Sequence, residues 1–174
     1  MILILAIAAA TPAAFGPPYK TLILAGLGCS LLGDIFMMLR DKQFLAGLAA
    51  FLAAQLCYIA AFRRGSAFSL RSLPTLSLVI FGLIMIRILL PRLGTLKIPV
   101  TIYVFVIVTM AALAAERYIQ AGGAKTLAAF AGAVLFVVSD SVLAVDRFVK
   151  KVRYAQALIM STYFAAQWLI AVSV

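Results

Sequence analysis

The chain consists of long runs of apolar residues that are interrupted only by short polar gaps. Of its 174 residues, 66% are hydrophobic and 11% are charged, and its mean hydropathy is +1.18. Soluble domains carry about 25% charged residues. Inside a bilayer the protein itself must hydrogen-bond every backbone N–H and C=O, and a run of about 20 apolar residues suits a membrane-spanning helix. The sequence therefore predicts an all-α, polytopic transmembrane bundle.

Seven candidate spans fit between the gaps. They cover about residues 1–15, 19–39, 43–62, 72–90, 98–119, 124–146 and 153–173. The first run has the apolar core of a signal peptide but no positively charged start, so we expect it to stay in the protein. No linker or second domain separates the runs, which predicts a single helical domain over residues 1–174.

The basic residues mark the ends of the spans. The chain has 15 Lys and Arg and a net charge of +10, and these residues fall almost entirely in the gaps. There they anchor the topology and contact headgroups, so we expect membrane lipid and not nucleic acid as their partner. Nine follow the second, fourth and sixth spans and six follow the others, which favours an N-terminus inside the cell. We expect a multi-pass protein of a cell membrane, such as a bacterial inner membrane, with no oligomeric state implied.

Two acidic residues lie inside these apolar runs. Asp34 and Asp140 are two of only five acids in the chain, and each follows a small residue, Gly33 or Ser139. A carboxylate at the centre of a membrane helix costs about 2.5–3.5 kcal/mol on insertion scales. Such a residue indicates a functional site, and the alternative is a structural role in which the acid only hydrogen-bonds between helices.

The surroundings of the two acids form an internal repeat. Asp34 is followed in the next span by Gln55, and Asp140 is followed in the next span by Gln167. The copies are spans two and three against spans six and seven, so they run parallel and both acids approach the same membrane face. Their helical positions place each about 9 Å from that face. We expect these four spans to enclose a shared polar pocket.

Further polar residues accompany the acids. Ser30 shares a helical face with Asp34, and the two glutamines favour a pocket over simple interhelical bonding because both recur beside an acid. Tyrosine hydroxyls nearby are candidate donors. The predicted catalytic residues are Asp34 and Asp140, and the predicted substrate-binding residues are Ser30, Gln55, Tyr58, Tyr103, Ser139, Tyr163 and Gln167.

Several chemistries are excluded or disfavoured. The chain contains no His, which removes Ser–His nucleophiles and the common zinc hydrolase sites. Cys29 and Cys57 lie within apolar runs without Cys-x-x-Cys spacing, so we interpret them as buried helix residues. We expect no metal and no cofactor. Glu116 lies beside Arg117 near a span end, which favours an interfacial ion pair.

An ordered set of motifs carries a resemblance to a known family. The motifs are Ser30-Leu31-Leu32-Gly33-Asp34, the series Phe44, Gly47, Phe51, Gln55 and Tyr58, Pro99 with Tyr103, the run from Gly132 to Ala144 around Asp140, and Thr162-Tyr163-Phe164 with Gln167. Over about residues 19–170 this order resembles the YhhN family, which includes the TMEM86 lysoplasmalogenases of animals. Members of that family commonly show eight spans, one more than the seven predicted here.

The resemblance implies hydrolysis of the vinyl ether bond of lysoplasmalogens. The products are a fatty aldehyde and glycerophosphoethanolamine or glycerophosphocholine, so the implied partner is a lysophospholipid. Two carboxylates in one pocket suit this reaction, because one can stay protonated to deliver a proton while the other stays ionised. Which of Asp34 and Asp140 is the acid is left open at this point.

A second class of function fits the same residues. Paired intramembrane acids and parallel repeats also occur in transporters. The alternative is therefore a small proton-coupled transporter, or a lipid-binding bundle, that uses Asp34 and Asp140.

Overall fold

The computed structural model describes residues 1–39, 43–64, 69 and 72–174. Within these ranges the chain is all-α. Its seven helices are α1 (Ile2–Ala10), α2 (Pro17–Leu39), α3 (Phe44–Phe62), α4 (Leu73–Leu89), α5 (Lys97–Ala121), α6 (Ala124–Phe148) and α7 (Ala155–Val172). The predicted helical bundle is confirmed, and the bounds of α2 to α7 lie close to those expected from the apolar runs.

Six of the described helical segments are long and apolar enough to cross a membrane. They are α2, α3, α6, α7, α4 together with the short turn that follows it (Leu73–Arg92), and α5 together with the turn before it (Gly94–Ala121). The first predicted span is different, because α1 has only nine residues and extends about 13 Å at 1.5 Å per residue. The chain is a multi-pass membrane protein with six candidate spans and one short additional helix.

Prolines and glycines set several of the helix ends. Helix α1 stops before Pro12, since proline disfavours a helical conformation in the residue that precedes it. Pro74 lies in the first turn of α4, where Ser72 caps the helix by accepting a hydrogen bond from the Thr75 N–H. Gly122 and Gly123 separate α5 from α6 with φ values of 63° and 91°, which glycine adopts without steric cost.

The helices pack as two close pairs around a central helix. The most extensive contacts are those of α2 with α3 and of α6 with α7, and both pairs pack on α5. Helix α5 is the most buried of the six candidate spans and α4, which packs mainly on α5, is the least buried. The polar residues of α2, α3, α5, α6 and α7 therefore share one interior.

The two helix pairs make close contacts at corresponding positions. The repeat relates α2 to α6 as Asp34 to Asp140, and α3 to α7 as Gln55 to Gln167. Under this correspondence Gly26 matches Gly132 and Tyr58 matches Ile170. A Cβ added at Gly26 would lie 2.3 Å from the Tyr58 ring, and one added at Gly132 would lie 2.9 Å from the Ile170 side chain.

A second matched contact lies nearer the acids. A Cβ on Gly47 would lie 3.6 Å from the Gly33 carbonyl oxygen, and at the corresponding positions the Ser139 hydroxyl donates to the Ile159 carbonyl at 3.1 Å. Both pairs thus pack closely at the residue that precedes the acid. These contacts lie at positions that the predicted repeat aligns, and the repeat itself stays a prediction.

Candidate active site

Asp140 lies on α6 and faces Tyr103 of α5. The Tyr103 hydroxyl donates a hydrogen bond to Asp140 Oδ2. Tyr103 is buried and Asp140 is half-buried. A hydrogen bond to one carboxyl oxygen fixes the orientation of the group, so Oδ1 is the oxygen that can act on a bound molecule.

Asp140 and Tyr103 line a pocket between α3, α4, α5 and α6. The pocket has about 710 Å³ of empty space, counted to its open mouth, and almost all of its lining is apolar. Ser141 also lines it, but the Ser141 hydroxyl donates to the Val137 carbonyl of its own helix at 2.7 Å. Asp140 and Tyr103 are therefore the polar side chains that this pocket presents to a ligand. A pocket that is apolar except at a few polar groups suits an amphiphilic molecule.

Asp34 lies on α2 and reaches the same interior from the other side. It is half-buried and lies beside the Tyr163 hydroxyl, with which it interacts electrostatically. Tyr163 also interacts electrostatically with Tyr103, the hydrogen-bond partner of Asp140. Asp34 does not appear among the described residues that line the pocket. The two acids therefore differ in position, because Asp140 lines the pocket and Asp34 does not.

The Tyr163 ring is held by aromatic neighbours. Its centroid lies 5.8 Å from that of Phe51 and 5.6 Å from that of Phe136, both in edge-to-face contact, the geometry that aromatic pairs favour. The ring is buried. Its hydroxyl makes no hydrogen bond of normal geometry within the described part of the chain, so packing alone positions it.

A second group of polar residues lies deeper in the bundle. The Tyr58 hydroxyl donates to Gln167 Oε1 at 2.8 Å, which joins α3 to α7. Ser30 of α2 lies close enough to Tyr58 to interact with it, and Gln55 interacts with Tyr103. Ser30, Gln55, Tyr58 and Gln167 are all fully buried. The structure thus connects eight of the nine predicted site residues into one cluster.

Ser139 is the ninth predicted site residue and has a different position. It is buried, and its hydroxyl donates to the Ile159 carbonyl across the α6–α7 contact. The structure places this side chain in helix packing and outside the polar cluster. Its predicted role in substrate binding gains no support from this geometry.

Sequence analysis missed residues at one end of the pocket, where α3 begins at Phe44 and α6 ends at Phe148. We call this end the rim. The Arg147 guanidinium lies over the Phe44 ring at 4.0 Å from its centroid, and Phe44 packs edge-on against Phe148 at 5.9 Å. Phe44 and Phe148 line the pocket. The signal was present, because Arg147 and Phe148 follow Asp140 in the repeat as Lys42 and Phe44 follow Asp34.

Glu116 and Arg117 do not form the interfacial pair that we expected. Glu116 is 2% exposed and accepts a hydrogen bond from Thr75 Oγ1 at 2.8 Å. Arg117 lies over the rings of Phe15 and Tyr19, at 4.3 and 4.6 Å from their centroids. Consecutive residues on a helix do not face each other, so these two side chains bury against different helices.

These features define a class of protein. The chain is a polytopic helical membrane protein with two intramembrane carboxyl groups beside buried tyrosine and glutamine side chains, and one of these carboxyl groups, that of Asp140, lines an apolar pocket. Intramembrane acids that face a bundle interior are characteristic of functional sites.

Sequence comparison identifies the family. The sequence model of the YhhN family matches residues 1–174, and the chain belongs to this family. It is 39% identical over 164 residues to lysoplasmalogenase TMEM86A of Bos taurus, a match that covers 90% of this chain and 66% of that protein. It is 30% identical over 149 residues to the uncharacterized membrane protein YhhN of Escherichia coli O6:H1, covering 86% and 72% of the two chains.

A human relative gives a similar match. The chain is 37% identical over 163 residues to human lysoplasmalogenase TMEM86A, covering 90% of this chain and 66% of that protein. It therefore spans just under two thirds of the length of the animal TMEM86A proteins. No solved structure matches the chain.

Proposed function

We propose that this chain is an integral membrane hydrolase that cleaves the vinyl ether bond of lysoplasmalogens. The observation that carries the proposal is the Asp140 carboxyl, held by Tyr103 at the wall of an apolar pocket inside a membrane bundle. Relatives at 37–39% identity are named lysoplasmalogenases. A lysolipid is a single-chain amphiphile, which suits a pocket that is apolar except at one carboxyl group.

Asp140 is the proton donor in this proposal. Vinyl ether hydrolysis begins when a proton is added to the β-carbon of the double bond, which leaves a cationic oxocarbenium ion. Asp140 is the acid that lines the pocket, so it can reach that carbon. Once it has lost its proton, the Asp140 carboxylate lies next to the cation and stabilises it electrostatically.

Asp34 supports the second half of the reaction. It lies behind Tyr163 and apart from the pocket lining. Water added to the oxocarbenium ion must lose a proton, and Asp34 is the nearby carboxylate that is not already used as the donor. Two carboxyl groups with separate acid and base roles are a common solution to hydrolysis of an acetal-like bond.

The pocket also suggests how the substrate lies. Phe148 at the rim is eight residues from Asp140 along α6, or about 12 Å at 1.5 Å per residue. The hydrocarbon chain would lie against the apolar walls, and the headgroup would lie near the Phe44–Phe148 rim, beside Arg147. An arginine there suits the phosphate group that every lysophospholipid carries.

The decisive experiment mixes the purified chain with a lysoplasmalogen in detergent and measures released fatty aldehyde. A lysolipid with a saturated ether bond at the same position is the matched control substrate, because it offers no double bond to protonate. Asp140→Asn is the matched control protein. Aldehyde released only from the vinyl ether, and lost in the variant, supports the hydrolase.

The transporter alternative predicts that no aldehyde is released. A proton-coupled carrier would leave the lysolipid intact and would show acid-stimulated uptake in sealed vesicles, abolished in Asp34→Asn. Intact substrate together with such uptake would overturn the hydrolase proposal.

A further inference from the structure

Several buried polar atoms of the polar cluster have no hydrogen-bond partner of normal geometry within the described part of the chain. They are both amide atoms of Gln55, the Tyr163 hydroxyl, the Gln167 Nε2 and the Ser30 hydroxyl. Tyr163 is 6% exposed and the other three residues are 0% exposed. More than 90% of buried polar groups in proteins are hydrogen-bonded, so a concentration of unpartnered atoms in one place requires an explanation.

Reorienting the side chains does not remove the problem at Gln55. Exchanging the oxygen and nitrogen of an amide often satisfies an apparently unpaired glutamine. Here both the Oε1 and the Nε2 lack partners, so either orientation leaves a donor and an acceptor unused. Gln55 therefore presents both kinds of hydrogen-bonding group to the same interior.

These groups lie close to the proposed chemistry. Gln55 interacts with Tyr103, which hydrogen-bonds to Asp140, and Gln167 interacts with Tyr163, which lies beside Asp34. Polar cavities in proteins bind water when two to four polar partners converge on them. A donor and an acceptor of Gln55, the Tyr163 hydroxyl and the Gln167 amide supply such a set.

We propose that Gln55, Tyr163 and Gln167 form a water site between the two acids, and that its water adds to the oxocarbenium ion. This inference rests on the proposed hydrolase function and deepens it. Gln55 and Gln167 act as positioning residues for the water, and not as the substrate-binding residues that the sequence predicts. Tyr163 connects the water to Asp34.

The resulting reaction balances in atoms and charge. Asp140 gives its proton to the β-carbon, and the double bond becomes a single bond with a positive charge shared by the ether carbon and oxygen. The water oxygen bonds to that carbon, and the proton it loses passes to Asp34, directly or through the Tyr163 hydroxyl. The hemiacetal then breaks its bond to the glycerol oxygen, which takes up the hydroxyl proton, and the fatty aldehyde is released. Transfer of the proton from Asp34 to Asp140 restores the starting state.

The experiment compares Gln55→Met with the wild-type protein in D₂O. Methionine keeps the approximate volume of glutamine but removes both hydrogen-bonding groups. Aldehyde release should fall by at least ~10-fold, because an oriented water is lost. Recovered lysoplasmalogen should also contain deuterium at the β-carbon, since a cation that is captured slowly has time to lose a proton and return to substrate. Wild-type protein should return unlabelled substrate.

A matched control and a stability measurement separate this role from a structural one. Gln120→Met makes the same change at an exposed position near the C-terminal end of α5. It should leave both the rate of aldehyde release and the deuterium content of the recovered substrate unchanged. The thermal midpoint of Gln55→Met should equal or exceed that of the wild type, because replacing a buried amide and its bound water by an apolar side chain of similar volume is nearly neutral or stabilising. A lower midpoint with unlabelled substrate would mean that Gln55 is structural.

The inference and the proposed function fail in different ways. If the wild-type chain releases aldehyde and Gln55→Met does so equally fast, the hydrolase proposal stands and the water site is wrong. If the wild-type chain releases no aldehyde, the hydrolase proposal fails. The water site can then be judged by an experimental structure that resolves solvent. It should show an ordered oxygen within about 3.2 Å of Gln55 and of Tyr163, and the lack of one would overturn the inference.

Discussion

The α2–α3 pair and the α6–α7 pair share a packing scheme and differ in chemistry. Both pairs close through a glycine, Gly26 or Gly132, against the facing helix. The residues around the acids are not matched in the same way. Tyr163 of α7 corresponds to Phe51 of α3, and only the acid of the second pair, Asp140, lines the pocket. A repeat can therefore preserve helix contacts while its two copies take different parts in one site.

The largest expected effect tests whether Asp140 and Asp34 have different roles in catalysis. Asp140→Asn keeps the shape of the side chain but cannot donate a proton, and we expect aldehyde release to fall by about 10³-fold. Asp34→Asn should cost less, about 10²-fold, because Asp34 does not contact the substrate in the proposed arrangement. The ratio of the wild-type kcat/KM to that of each purified variant measures the two losses. Equal losses, or a larger loss in Asp34→Asn, would break the proposed division of roles.

The glycine contacts test the shared packing. Gly132→Ala would place a Cβ 2.8 Å from the Ala166 carbonyl oxygen, and Gly26→Ala would place one 2.3 Å from the Tyr58 ring. Overpacking of this kind costs typically 1–3 kcal/mol, so both variants should unfold at lower temperature in detergent. The matched control is Gly28→Ala, since a Cβ at Gly28 meets nothing within 4 Å. If all three variants are equally stable, the two helix pairs are not closed by these glycines.

Parts of this architecture follow directly from the sequence. The helix bounds are encoded locally, because each apolar run ends at a proline, a glycine or a charged gap. The exception is the first run, which includes Pro12, and the helix there ends at Ala10. The acids and the two glutamines were also predictable, because a polar residue in hydrocarbon must face the interior and each pair recurs in the repeat.

Other parts depend on helix rotation, which no local pattern specifies. Tyr163 lies beside Asp34 because α7 turns this residue toward α2, whereas the corresponding Phe51 lies at the pocket wall. Glu116 finds a hydroxyl partner on α4 for the same reason. Such contacts are set by the packing of whole helices, so sequence analysis located the residues but not their partners.

Tyr163→Phe sharpens the comparison of the two helix pairs, because it places in α7 the residue type that α3 has at the corresponding position, Phe51. The substitution keeps the ring that packs between Phe51 and Phe136 and removes only a hydroxyl that lacks a hydrogen-bond partner among the described residues. We expect kcat to fall by about 10-fold, as for the loss of one positioned proton-transfer group, while the thermal midpoint is unchanged.

A double variant shows whether Tyr163 acts through Asp34. If the two residues form one path for the proton, Tyr163→Phe should add little to the loss already caused by Asp34→Asn, because groups that act as a unit are not additive. Losses that simply multiply would mean that Tyr163 and Asp34 act independently.

The smallest expected effect lies at the rim of the pocket. Arg147 lies in the last turn of α6 and stacks on Phe44, which lines the pocket. Arg147→Gln removes the charge that would attract a phosphate group, so we expect KM for the lysolipid to rise about 3-fold with kcat unchanged, a size typical of a solvent-exposed charge pair. Lys151→Gln is the matched control, because Lys151 is 87% exposed and pairs with Asp146 at 3.1 Å. Equal effects of the two variants would show that general surface charge, and not a headgroup contact at Arg147, recruits the substrate. A rise in KM confined to Arg147→Gln, and reduced at high salt, would place the headgroup at the rim and the vinyl ether bond beside Asp140.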